Sequence, residues 1–386
     1  MNVLHAFSNW KWTGPAEPAV RLAEALRERH DVTFACGRCP YPDLENLVQR
    51  HATAAGLPVL TDLRLRKHFD PLNGWRDLKR LTTIIAERRF DVVHTHLLND
   101  HLIGGAAARR SRTGAIVVRS LYGGRDVSPP LRTRLALSRL TDGVVAASQA
   151  AFDAVVRTGA VPDERVFLVP GAVDVRRFAP ERLGAWRDAA RAELGLAPHH
   201  VVGGIVARIQ RHRKFELLIA ACAQAMARDD RLRVVVLGRG THAESLVHAP
   251  LRKLGLEDRV LAVGYKEGKD YLRTLAALDF GFFLVPGSDG SCRAARELLA
   301  SSLPLLVTKR APLPEIAGDG EAGFVLDDDP AAFANAMLTL AREPERLAAL
   351  RAAARGRAES RFSLRHQAEE VAACYERLRT LGPRRR

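Results

Sequence analysis

The chain has 386 residues, 47% of them hydrophobic and 27% charged, which is an ordinary globular mix with length for two domains, each around its own core. No apolar run reaches the roughly 18 residues of a membrane-spanning helix, and the opening segment Met1–Phe7 is too short and too soon interrupted for a signal peptide, so the expected location is the cytoplasm. The net charge is +15, but 51 of the 59 basic residues are arginines scattered through helical stretches, so no nucleic-acid partner is expected, while an anionic substrate or an anionic membrane surface suits the charge.

The first half opens as a βαβ unit, which implies a parallel sheet with right-handed crossovers. Asn2–Phe7 reads as a strand and is followed by a loop carrying Trp10, Trp12 and Gly14. A helix then runs over Glu17–Arg29 with Val20, Leu22, Ala23 and Leu26 on its apolar side, and a strand over Asp31–Ala35. Cys36 and Cys39 form a C-x-x-C, open between a redox pair and two ordinary thiols; Cys222, Cys292 and Cys374 read as small buried residues. Leu44–Ala55 is expected to be helical and Pro58–Leu63 a strand. From Arg64 to Arg80 cations interleave with aromatic residues. That pattern suits a membrane headgroup region or a phosphorylated acceptor, and equally a solvated basic face.

Gly74–Arg89 reads as an amphipathic helix, and the strand Asp91–His96 puts His94 and His96 on one face. An H-x-H pair can bind metal, but no third ligand follows at a useful spacing. His96 is then either a ligand-facing residue at a strand end or a buried, hydrogen-bonded histidine. The strand Ala115–Ser120 runs into Tyr122, and the strands Gly143–Ser148 and Val166–Pro170 complete this half. Residues 171–180 read as a hinge.

A second βα series follows. The strand Val201–Arg208 leads through a basic loop containing Arg208, Arg213 and Lys214 into a helix. The strand Arg233–Leu237 ends at Gly238 and Gly240, and the strand Val260–Gly264 at Tyr265. Lys269–Leu278 reads as a helix and Phe280–Val285 as a buried strand. The stretch from Val285 to Glu297 then leads into the helix Cys292–Ser301 and the strand Pro304–Thr308. Gly287 and Gly290 allow a close backbone approach to a ligand, and the helix start at Ser291 and Cys292 favours an anion. Asp289 and Glu297 add two carboxylates at the same place, the combination a sugar nucleotide needs. Asp327-Asp328-Asp329-Pro330 reads as a helix N-cap rather than a metal site. Two helices over Ala331–Arg361, a last one over Leu364–Thr380 and a disordered tail at Pro383–Arg386 complete the chain.

The stretch around Asp289 and Glu297 resembles the Glu-x7-Glu signature of family-four retaining glycosyltransferases of GT-B fold, the glycosyltransferases group 1, with Asp289 in the first position and Glu297 in the second. Other segments are similar to that family in the same order. Gly14 stands where two adjacent glycines approach the donor phosphates, and Tyr122 where a histidine commonly touches the donor sugar. Asp142–Ser148 looks like its aspartate–apolar–serine segment, and Gly171–Pro180 like its Pro-Asn-Gly-Val-Asp hinge. Arg208 matches a diphosphate-gripping arginine, with Arg213 or the neighbouring Lys214 at the lysine position, and Tyr265 lies where backbone meets the base.

The resemblance implies an α/β chain of two Rossmann-like, doubly wound parallel-sheet domains facing a cleft. The acceptor-side domain would span residues 1–180 and the nucleotide-sugar domain 181–363, with a C-terminal helix and basic tail over 364–386 crossing back to the first. It implies transfer, with retained configuration and without metal or cofactor, from a nucleotide-diphosphate sugar to an acceptor hydroxyl in cell-envelope glycan or glycolipid synthesis. A UDP-sugar is expected ahead of a GDP-sugar. The donor would meet Gly14, His96, Tyr122, Gly238, Gly240, Tyr265, Gly290, Ser291, Cys292 and Glu297, with Arg208, Arg213, Lys214, Asp289 and Glu297 serving the reaction. A glycan, glycolipid or small molecule would accept the sugar; the expected peripheral membrane contact through Arg64–Arg80 comes from that segment's own cations and aromatic residues rather than from the resemblance. Departures at Pro15, Tyr122 and Asp289 keep two other readings open: a sugar-nucleotide epimerase on the same scaffold, and a non-catalytic sugar-nucleotide binder.

Overall fold

A computed structural model of the chain describes residues 1–68, 70–127, 130–286 and 292–384. They fall into two compact units, one holding residues 1–172 and 364–384, the other residues 173–286 and 292–363. The segment expected to be a hinge is therefore divided, with Ala172 ending one unit and Val173 beginning the next.

The first unit is built on seven strands: β1 (Asn2–Phe7), β2 (Asp31–Cys36), β3 (Val59–Leu60), β4 (Val92–Thr95), β5 (Ile116–Leu121), β6 (Gly143–Ala146) and β7 (Val166–Leu168). All pair in parallel, in the order β3-β2-β1-β4-β5-β6-β7. Parallel sheets need cover on both faces, and alternate residues of these strands feed two separate cores. Val3, Phe7, Val92, Ile116 and Val118 pack with the helices Ala16–Leu26 and Leu364–Leu381. Leu4, Ala35, Val93 and Val117 pack with Pro71–Arg88 and Leu98–Ser111.

Two local expectations change. The strand foreseen over Pro58–Leu63 shrinks to Val59–Leu60, the two residues that pair with β2; farther on the chain is held by loop and side-chain contacts, the Arg38 N–H donating to the Leu63 carbonyl at 3.2 Å and the Arg64 and Leu65 N–H groups to the Asp77 carboxylate at 3.0 and 2.8 Å. The helix foreseen from Gly74 starts at Pro71, where Asp70 caps it by accepting from the Asn73 N–H.

The last helix completes the first unit. Tyr375 and Leu378 are fully buried in its core. Gly143 lies directly under that helix; a Cβ there would stand 2.3 Å from Leu378 Cδ1. The tail expected to be disordered is held as far as Arg384, whose N–H donates to Asp142 at 2.8 Å and whose guanidinium donates to the carbonyls of Leu137 and Thr141.

The second unit carries β8 (Val201–Val206), β9 (Leu232–Leu237), β10 (Val260–Gly264), β11 (Phe280–Phe283), β12 (Leu305–Thr308) and β13 (Gly323–Leu326), parallel in the order β10-β9-β8-β11-β12-β13. Strand order reverses between β1 and β4 in one sheet and between β8 and β11 in the other, the arrangement of doubly wound folds, which bind ligands beyond the carboxyl ends of the strands. No helix among the described residues is long and apolar enough to cross a membrane.

Asp279 pins the second reversal. Its N–H donates to the Val202 carbonyl at 2.7 Å, and its carboxylate accepts from the Val202 N–H at 2.8 Å. The same carboxylate meets Arg187, Arg191 and Arg351 at 2.5, 2.7 and 3.3 Å. Replacing it with a neutral amide strands three guanidinium groups at a largely buried site. Asp279→Asn should cost about 3–5 kcal/mol, read as a lowered urea midpoint for the second unit with the far-UV spectrum of the folded state retained.

Candidate functional site

The carboxyl ends of β8 and β9, with the loops that leave them, line a pocket of about 940 Å³ within the second unit. The pairing of the two strands continues into those loops: the N–H groups of Ala207 and Ile209 donate to the carbonyls of Leu237 and Arg239 at 3.0 and 3.1 Å. This zipper requires the two glycines. A Cβ on Gly238 would stand 1.8 Å from the Ala207 carbonyl oxygen, and one on Gly240 would stand 2.0 Å from that of Ile209. The glycines singled out in the sequence thus shape the pocket wall by letting two backbones meet.

Four cations line the pocket, namely Arg208, Arg239, Lys266 and Arg293, and no carboxylate does so among the described residues. Arg208 is exposed and makes no side-chain hydrogen bond or ion pair among the described residues. Arg239 lies over the ring of Tyr265, its guanidinium carbon 4.4 Å from the ring centre, and Tyr265 is itself exposed at the rim. Of these residues, Arg239, Lys266, Arg293 and the lining Tyr271 were not foreseen from the sequence. Arg239 had a signal, being flanked by Gly238 and Gly240; for Tyr271 no local pattern distinguishes it from a core aromatic.

Glu297 occupies the second turn of the helix Arg293–Ala300. Its Oε2 accepts from the Tyr271 hydroxyl at 2.7 Å, and Arg293 lies 3.7 Å from Oε1. Burial first, then the neighbouring Glu297 charge, holds the Tyr271 hydroxyl well above its ordinary range, so it stays a proton donor. Cys292 precedes the helix as a buried residue with φ near 45°. Asp289, Gly290 and Ser291, expected at the same place, lie outside the described residues.

Arg213 and Lys214, expected beside Arg208 on an anion, are engaged elsewhere. Arg213 donates to the carbonyls of Val285 and Pro286 at 2.9 and 3.3 Å, bracing the end of β11. Lys214 lies 2.7 Å from Asp328, which Arg310 also grips; these two cations hold the Asp328 carboxyl well below the usual carboxylate range. Asp329 caps the following helix by accepting from the Ala331 and Ala332 N–H groups. No group of His, Cys, Asp and Glu among the described residues is placed to hold a metal.

In the first unit Gly14 is exposed with open space around it, and Trp12 stacks on His51 at 3.9 Å. His96 and Tyr122 belong to a buried chain of side chains. Ser120 Oγ meets His94 Nε2 at 2.8 Å, and His94 Nδ1 meets the Tyr375 hydroxyl. That hydroxyl is 3.4 Å from His5 Nε2, His5 Nδ1 is 3.0 Å from His96 Nε2, and His96 Nδ1 is 2.7 Å from the Tyr122 hydroxyl. Every ring nitrogen of the H-x-H pair is therefore engaged in a hydrogen bond rather than open to a metal. Burial pushes His5 down to about 3; burial, then the charge on neighbouring His5, lowers His94 and His96. Nearby, the Asp100 carboxylate ties the ends of β1 and β4 together by accepting from the N–H groups of Ser8, His96 and Leu97 at 2.7, 3.0 and 2.9 Å. Burial raises this carboxyl to about 6.

Residues 14–177 match the family described as Glycosyltransferase Family 4, and residues 187–357 match Glycosyl transferases group 1. The chain is 28% identical over 305 residues to the D-inositol 3-phosphate glycosyltransferase of Segniliparus rotundus, covering 74% of this chain and 66% of the relative's length. It is 30% identical over 325 residues to the enzyme of the same name from Kineococcus radiotolerans, covering 76% of this chain and 72% of that one. Among solved structures, HepE of Anabaena in complex with UDP superposes with a TM-score of 0.74 at 19% identity, covering 97% of this chain and all of the other, which shows a shared GT-B fold.

The buried imidazoles make the first unit sensitive to acid. Below the ordinary histidine pKa the unfolded chain takes up protons that the folded rings refuse, so stability falls as pH drops. At pH 5 each of the three rings costs about 2 kcal/mol. Asp100 acts the other way, because the folded state protonates it first, and returns about 1 kcal/mol at that pH. Urea unfolding should therefore show a net loss of about 4–5 kcal/mol from these groups between pH 7.5 and 5, with about 2 kcal/mol of that loss, somewhat under half, absent in His94→Gln.

Proposed function

The chain belongs to the glycosyl transferases group 1 family, and on that footing we propose that it moves a sugar from a nucleoside diphosphate to an acceptor hydroxyl. The observation that carries the reading is the second unit's pocket, with Arg208, Arg239, Lys266 and Arg293 around it and no carboxylate among its described lining residues, Glu297 standing behind the wall 3.7 Å from Arg293. Such a wall favours a ligand with two negative phosphates, and it favours even more the same ligand once its bond to the sugar has broken and its charge has grown. Arg208 and the start of the helix Arg293–Ala300 stabilise the departing diphosphate, with Lys266 and Arg239 adding to the field. Glu297 accepts the ribose hydroxyls, its carboxylate oriented by the bond from Tyr271. Arg239 and Tyr265 form a flat, stacked pair at the rim, suited to a base. UDP is the first choice of nucleotide, in keeping with the UDP held by HepE.

In the reaction the bond from the sugar's anomeric carbon to the diphosphate oxygen breaks, and the acceptor oxygen bonds to that carbon on the same face. The acceptor's proton passes to the departing phosphate, so configuration is retained, with no covalent enzyme intermediate and no metal. Asp289, by its place in the signature, accepts sugar hydroxyls and orients the donor. The acceptor is a glycan, a glycolipid or a small molecule of cell-envelope synthesis. Relatives named for D-inositol 3-phosphate make a phosphorylated small molecule one of the candidates to try.

The test is a UDP-release assay over a panel of UDP-sugars and GDP-sugars, with and without acceptors, next to thermal shifts with the same nucleotides. UDP should raise the melting point, because it binds the folded state. Arg208→Ala should lower turnover by roughly 100-fold or more at saturating donor. Lys214→Ala, whose charge is matched by Asp328, should change turnover far less than Arg208→Ala. Near-normal turnover in Arg208→Ala would remove the assignment. Consumption of donor with no acceptor present and no UDP released would instead mark an epimerase.

A further inference from the structure

Large apolar side chains left in water are unevenly spread over this protein. Tyr41, Leu44, Leu72, Trp75, Leu131 and Leu135 all belong to the first unit and are more than half exposed, with Leu72 at 79% and Leu131 at 81%. Tyr41 and Leu44 lie between β2 and the helix Leu47–Ala54. Leu72 and Trp75 are in the opening turns of Pro71–Arg88, and Leu131 and Leu135 are in those of Pro130–Leu140. Every one of these segments leaves the carboxyl end of a parallel strand, so the six share one edge of the sheet. The helix Leu98–Ser111 packs against both Pro71–Arg88 and Pro130–Leu140. Its opening residues Leu98 and Leu102 are half-buried, so the apolar strip continues across the middle helix.

The strip is set in positive charge. Residues 64–80 and 130–140 together hold nine arginines and lysines against two aspartates. Both aspartates are occupied: Asp77 is buried on the Arg64 and Leu65 N–H groups, and Asp70 caps its helix and pairs with Arg66 at 3.2 Å. Lys79 lies over the face of Trp75, with Nζ 3.6 Å from the ring centre, which keeps the ammonium beside an amphipathic ring. A nucleic acid would meet the cations but would gain nothing from leucines standing almost wholly in water. An anionic bilayer matches both features, because its headgroups take the cations and its acyl boundary takes Trp and Leu.

We propose that this edge of the first unit is a docking surface for an anionic lipid bilayer. Leu72, Trp75, Leu131 and Leu135 enter the headgroup–acyl boundary, while Lys67, Arg76, Lys79 and Arg134 meet the headgroup phosphates. The surface reaches well beyond the basic 64–80 segment read from the sequence, taking in two further helices. Docking here needs no donor nucleotide, so it stands or falls independently of sugar transfer.

The test is sedimentation of the full chain with vesicles of phosphatidylcholine alone and of phosphatidylcholine mixed with phosphatidylglycerol, at low and raised salt. The chain should bind the mixed vesicles and not the neutral ones. The pairs Leu72→Ser with Trp75→Ser, and Leu131→Ser with Leu135→Ser, should each weaken binding by roughly tenfold or more with unchanged melting points, since all four side chains are exposed. Lys67→Gln and Lys79→Gln should each weaken it about fivefold and flatten its dependence on salt. Binding that survives both serine pairs would overturn the proposal, leaving only diffuse attraction of a basic protein to anions. Failure of the unaltered chain to bind mixed vesicles would overturn it too, as would equal binding to duplex DNA that is indifferent to the serine pairs. Vesicle binding without UDP release would leave docking intact and remove the transfer reading; the reverse result would do the opposite.

Discussion

Asp279 lies beneath the point where the second sheet changes direction, and its backbone and carboxylate together hold β11 against β8. The reversal in strand order is what lets the loops after β8 and β9 leave one side of a gap and the loop after β11 leave the other. A carboxylate gripped by Arg187, Arg191 and Arg351 also draws in the helices on which those arginines ride. Three elements distant in sequence therefore meet at one buried charge.

The two units solve the problem of polar groups near a sheet edge in opposite ways. In the second, cations are gathered around a cavity whose described lining holds no carboxylate, while the loops after β8 and β9 are zipped by backbone bonds across Gly238 and Gly240. Arg208, which makes no ion pair among the described residues, keeps its charge available to an anion. In the first, polar side chains are buried and matched to one another, ring to ring, from Ser120 to Tyr122. A neutral imidazole has one donor and one acceptor, so each ring in that chain is satisfied only by neighbours in one particular arrangement. The sheet beneath it thereby gains a specific register that an aliphatic core would not demand.

Much of this was legible in the sequence where the physics is local. Buried parallel strands read as short apolar runs, and Val201–Val206, Leu232–Leu237 and Leu305–Thr308 all carry that mark. Arg208 is placed through the family resemblance, by its match to a diphosphate-gripping arginine, and it lies two residues beyond the end of β8. What escaped reading depends on partners far away in the chain. Lys214 is matched by Asp328, more than a hundred positions later, and nothing near Lys214 announces it. His96 is held by a chain that includes Tyr375 from the last helix. The helix Leu98–Ser111 has little amphipathic character because it lies flush against its neighbours, with Gly105 so close that a Cβ would come within 2.9 Å of Leu140. The stretch Pro58–Leu63 looks like a strand by composition, but only Val59 and Leu60 pair with β2, and just beyond the stretch the backbone turns to an acidic side chain on the next helix.

The helix Leu364–Leu381 is made after the whole of the second unit, yet its residues Tyr375 and Leu378 fill the core of the unit that precedes it. As the chain leaves the ribosome, the second unit has its whole sequence available while the first still lacks one of its walls. Until that wall arrives, Val3, Phe7 and Val118 have only part of their cover, and two imidazoles, His5 and His94, lack a hydroxyl partner. Synthesis and completion thus run in opposite order, and a nascent chain cut short before Leu364 would be a client for chaperones rather than a working half.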